Sequence, residues 1–126
     1  MTLVELYKRA LIEMQVLAAG EDADPDDAAL LADKYVGLYD QLAFEGLATW
    51  AFTDDIPDYA SGPVSMMLAC ASATAFGLLG PIKAMLIREG GLNNGPDQGG
   101  VSTAEKHLRR AAARSYVSHP AQSEYF

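Results

Sequence analysis

Asp54, Asp55 and Asp58 are the first place where this chain could do chemistry. Carboxylates that close together can share a proton or hold a divalent cation. Acids just ahead of a helix also serve its backbone, facing unpaired N–H groups and the positive end of the dipole. We adopt that second reading, because a helix follows. Residues 90–100, GGLNNGPDQGG, have the glycine content of a phosphate cradle. They lack the Gly-Lys-Ser/Thr that puts a lysine on the phosphates, and no strand precedes them, so they read as a flexible surface loop. His107 and His119 stand without a cysteine or carboxylate at ligand spacing. Cys70 lies among alanines, where a thiol acts as a small hydrophobe rather than an exposed nucleophile. With no nucleophile–base pair and no ligand set, the expected protein is not an enzyme and carries no metal or cofactor.

The elements around these residues are helical. The 126 residues are half hydrophobic and 21% charged, the proportions of one folded globular domain. The longest nearly apolar run, residues 64–79, contains Ser65, Ser72 and Thr74. It falls short of the roughly 20 apolar residues a membrane span needs. Thr2 opens directly into a helix with Glu5 in its first turn, which predicts no secretory leader. A lone cysteine forms no internal disulfide and suits a reducing compartment.

Thr2 and Glu5 make a capping box, followed by an apolar stripe of Val4, Tyr7, Leu11 and Met14 that predicts a helix ending at Ala19-Gly20. Asp24 as N-cap and Pro25 in the first turn open a second helix. Its Ala28, Leu31, Tyr35, Leu38 and Leu42 alternate steps of three and four up to Gly46. Trp50 and Phe52 are expected to fold back onto the helix ends, and Ile56-Pro57 reads as extended. A third helix, residues 63–76, is built of small and apolar residues and is expected at the centre. Residues 82–88 make a short fourth helix. Ser102 and Glu105 form a second capping box for a helix ending near Arg114, with Ala104, Leu108 and Ala111 or Ala112 facing inward. The predicted fold is all-α: a bundle of four to five helices over residues 1–114, with an extended docking tail over 115–126.

Charge is unevenly placed. Residues 1–60 hold 13 acidic and 3 basic residues, a net of −10, whereas residues 61–126 carry +2. An acidic half argues against a duplex-binding surface there, since affinity for DNA comes mostly from Lys and Arg on phosphates. Lys106, Arg109 and Arg110, with Arg114 beyond, form a basic face on the last helix, which reads either as a solvated surface or as a contact for the acidic half of a neighbouring copy. The tail holds Tyr116, Tyr125 and Phe126. Disordered tails are usually depleted in aromatics, so these either pack on their own domain or serve as anchors at an interface, which favours them.

Several of these stretches resemble the head-to-tail adaptor (connector, or head-completion) proteins of tailed bacteriophages, most of all the packaged-DNA stabilisation proteins or tail accessory factors of short-tailed phages. The carriers are Leu3-Val4 through Leu11 and the run ending Tyr39-Asp40-Gln41-Leu42. The connector Glu45-Gly46-Leu47-Ala48-Thr49-Trp50 into Asp54-Asp55-Ile56-Pro57 matches as well, and so does the alanine-rich helix ending Ala75-Phe76-Gly77. Residues 81–126 match only in general plan. The resemblance implies a structural virion protein of the neck, assembled in the host cytoplasm as a ring, commonly of twelve copies, beneath the portal protein. Such a ring extends the DNA channel, retains packaged DNA that passes through without specific binding, and offers an attachment site to a tail or tail-completion protein. No membrane and no catalytic residue are implied. Arg114, Tyr116, Tyr125 and Phe126 are then the expected portal contacts, and Lys106, Arg109 and Arg110 the subunit–subunit contacts. A small terminase subunit is the alternative, also a helical ring but built to bind DNA with a basic helix-turn-helix usually near the N-terminus. A small enzyme is the third reading, disfavoured by the missing catalytic groups.

Overall fold

The computed structural model describes residues 1–118, with side chains through Arg114. These residues form five α-helices and no strand: α1 (Leu3–Glu13), α2 (Pro25–Phe44), α3 (Asp58–Ser72), α4 (Gly80–Gly90) and α5 (Thr103–Ser118). The all-α bundle expected from the sequence is what the chain forms.

α1 begins as its sequence dictates. Thr2 Oγ1 accepts from the Glu5 amide at 3.2 Å, and the Glu5 carboxylate accepts from the Thr2 amide at 2.8 Å. Those two bonds hold the Glu5 carboxyl below its usual range. The helix ends sooner than expected, at Glu13, because Gln15 turns to φ 62° and the Val16 amide reaches back to Leu11. Its buried side is also rotated. Leu6, Ala10, Leu11 and Met14 face the core, while Val4, expected in the stripe, is 75% exposed. α2 follows its periodicity: Asp24 accepts from the Asp26 amide at 2.8 Å, and Leu31, Tyr35, Leu38 and Leu42 are buried.

α3 is the centre, in contact with all four other helices. It starts five residues before the expected Pro63, at Asp58, so the proline lies inside the helix. Ser61 Oγ donates to the Asp58 carbonyl at 2.8 Å and Ser65 Oγ to the Ser61 carbonyl at 2.6 Å. These bonds tie the turns on either side of the break that Pro63 introduces. Burial of Ala60, Val64, Met67, Leu68 and Ala69 offsets the strain. The helix also stops earlier, at Ser72, and Gly77 with φ 71° turns the chain toward α4. α4 is longer than expected at both ends. At its last residue, Gly90, a Cβ would stand 2.4 Å from the Met66 carbonyl oxygen, so only glycine permits this approach of α4 to α3.

The connector between α2 and α3 packs on the side of α2 rather than on the helix ends. Trp50 is buried, and its Nε1–H donates to the Tyr35 hydroxyl at 3.0 Å. Tyr39 donates its hydroxyl to the Trp50 carbonyl. Phe52 stacks on Tyr35, ring centroids 5.6 Å apart, and meets Tyr39 edge-on at 5.4 Å. Ile56 is buried, and its backbone pairs both ways with Met1, at 2.7 and 2.9 Å.

Candidate functional site

The densest polar geometry in the described residues lies where the end of α2, the 90–100 loop and α5 meet. Ser102 Oγ accepts from the Glu105 amide at 3.1 Å, as a capping box requires. The reciprocal half is not made. Glu105 is buried, and its carboxylate instead accepts from the Asn93 amide at 2.9 Å and from Arg109 Nε at 2.8 Å. Arg109 spends its other edge on Glu45, Nη2 to Oε1 at 3.1 Å. Asn93, in a left-handed conformation with φ 59°, also sends its side-chain amide to Glu45 at 3.4 Å. One arginine and one asparagine thus bridge two carboxylates, one buried and one partly exposed.

Arg109, one of the expected subunit contacts, is engaged within its own chain: its guanidinium binds Glu105, one turn earlier on α5, and Glu45 of the acidic half. The hydrogen bonds Arg109 donates to Glu105 and Glu45 raise its pKa further, keeping it charged. Bonds from Arg109 and then Asn93 lower that of Glu45. Lys106 and Arg110 stay on the exposed side of α5. Arg114 is exposed and engaged in an interaction of its own. Tyr116 lies within α5, which continues four residues past the expected end at Arg114, so residues 115–118 are helical rather than extended. Tyr125, Phe126 and His119 lie outside the described residues.

Of this cluster, Glu45, Asn93 and Glu105 were not among the expected site residues. Glu105 and Arg109 are four apart, a spacing that marks an ion pair on a helix and was readable. Glu45 is 64 positions from Arg109, and nothing local announces their meeting.

The 90–100 loop, expected to be flexible, is braced at several points. Asn94 donates to the Ile87 carbonyl at 2.7 Å, closing the end of α4, and residues Pro96–Gln98 form a short 3-10 turn. Asp54, Asp55 and Asp58 are exposed; Asp58 sits in the first turn of α3, whose N-cap, Pro57, makes no side-chain bond. Among the described residues no group of three His, Cys, Asp or Glu side chains could hold a metal ion. Cys70 is partly buried on α3, and burial pushes its thiol pKa up. An apolar groove of about 530 Å³ runs between α1 and α2, lined by Val4, Tyr7, Ala23 and Ala28 and edged by a 3.7 Å Lys8–Asp22 pair. Among the described residues no helix is long and apolar enough to cross a membrane.

The ionic cluster makes stability depend on acid. Glu45 has a folded pKa below its unfolded value, so its contribution is present above the ordinary glutamate range and lost as pH falls through the depressed value. The melting temperature should therefore drop below about pH 4.3, and Glu45→Gln should flatten that drop, measured by thermal melts across pH.

No protein-family model matches the chain, and the comparisons with curated proteins and with solved structures likewise return no match.

Proposed function

We propose that this chain is a head-to-tail adaptor subunit of a tailed bacteriophage. Copies form a ring below the portal, extend the DNA channel, retain the packaged genome and present the tail's attachment surface. The reading is carried by the resemblance over residues 1–80, and above all by the connector 45–57. That stretch holds Trp50, which bonds to Tyr35 of α2, and the buried Ile56. The concentration of acid in residues 1–60 also supports it, since like charge near a channel lets DNA pass without sticking. Arg114, Tyr116, Tyr125 and Phe126 are the proposed portal contacts.

The test mixes the purified chain with the portal protein of its own genome and follows complex formation by native mass spectrometry. The full chain should bind the portal ring. A truncation after Ser118 should lose that binding while keeping the helical signal and melting temperature. Aromatic anchors of this kind commonly contribute about 2 kcal/mol or more each, so Tyr125→Ala and Phe126→Ala should each weaken binding at least tenfold. Failure of the full chain to bind would overturn the adaptor reading. Tight, salt-sensitive binding of duplex DNA by the isolated subunit would favour the small-terminase alternative instead.

A further inference from the structure

α2 has a second seam. Opposite the buried Leu31, Tyr35, Leu38 and Leu42, the residues Ala29, Asp33, Val36, Asp40 and Phe44 follow one another at helical spacing and are all exposed. Phe44 is 90% exposed and Val36 46%. Gly37 lies beside them in mid-helix with nothing within 4 Å of where its Cβ would stand. A glycine there weakens the helix relative to alanine, and no neighbour within the described residues requires it. Asp33 and Asp40 have carboxylates without an ion-pair or hydrogen-bond partner among the described residues.

α5 has the complementary outer face. Lys106 and Arg110 are exposed one turn apart, also without an ion-pair partner among the described residues, and Ala113 is exposed beyond them. Val101, at the foot of the helix, is 46% exposed. The inner arginine, Arg109, is already spent within the chain on Glu45 at the end of α2. The inner side of α5 is therefore satisfied, and only its outer cations remain to be matched.

We infer that the outer seam of α2 docks on the outer face of α5 in a second copy of this chain. Asp33 and Asp40 meet Lys106 and Arg110, around a contact made by Val36, Gly37 and Phe44. The small residues let the two backbones approach closely, and the apolar pair at Val36 and Phe44 supplies the burial that surface ion pairs lack. Because the two faces differ and each copy carries both, the contact is heterologous and propagates from copy to copy until it closes. The seam is about 22 Å long at the helical rise. One helix on one helix buries less than the roughly 800 Å² per partner of a standard interface. The isolated chain should therefore associate reversibly, at high concentration and low ionic strength. The inference rests on the adaptor reading for closure into a ring, but not for the contact itself.

The experiment is sedimentation velocity of the full chain across concentration and salt, with Asp40→Arg, Arg110→Glu and the double variant. The wild type should form species larger than a monomer at low salt and lose them as salt rises. Each single reversal should weaken association at least tenfold, and the double variant should recover it, with unchanged helical signal in all three. A wild type that stays monomeric at low salt would overturn the inference. So would single reversals without effect, or a double variant weaker than either single. Association that survives while portal binding is absent would sink the adaptor reading and leave the contact standing.

Discussion

Replacing Trp50 with alanine should cost about 3–5 kcal/mol, the range for emptying a buried aromatic site. The indole is 7% exposed, between Tyr35 and Tyr39, and it fixes the connector to the flank of α2. Its loss would also orphan the buried Tyr35 hydroxyl, whose pKa burial already raises. A domain of this size has only about 5–15 kcal/mol of stability in all. Urea unfolding should therefore show the midpoint falling sharply with an unchanged slope. Tyr35→Phe is the control. It removes only the acceptor of a 3.0 Å bond and should cost roughly 1–2 kcal/mol. Equal losses for the two variants would mean that the hydrogen bond, not the packing, holds the connector.

Glu105→Ala should be the second large loss, about 2–3 kcal/mol. The carboxylate is buried and serves two donors, the Asn93 amide and Arg109 Nε. Removing it leaves that amide unsatisfied and the guanidinium with Glu45 alone. Because Arg109 is partly exposed, the penalty is smaller than for a fully buried pair. Arg109→Ala should cost less than Glu105→Ala, since it leaves the Asn93 bond in place. The double variant should show losses that do not add, as expected for groups in one network. Strict additivity in a thermal or urea cycle would refute the shared network.

The legibility of this fold varied with how local its causes are. α2 was readable because its N-cap, its proline and its core side chains all lie within twenty residues and agree with one another. The start of α3 was not, because Pro63 looks like a first-turn residue. The turn before it is held by Ser61 and by the burial of Ala60, neither of which stands out in a run of small residues. Val4 fits the expected stripe by spacing, yet the core lies on the Leu6–Ala10 side. The direction from which α2 and α3 pack decides that, not periodicity. The polar cluster is the clearest division. The Glu105 cap was legible to its first bond. The partners that give it its place, Asn93 and through Arg109 Glu45, come from folding and not from spacing.

The central position of α3 has a mechanical consequence. The remaining helices fall into two pairs, α1 with α2 and α4 with α5, each braced mainly against α3. Such an arrangement can shear, one pair sliding along a shared helix while each stays internally packed. Across that slip plane, Glu45 on the α2 side takes hydrogen bonds from both Asn93 and Arg109 on the other. A slide of one pair past the other would pull those two donors off a single carboxylate.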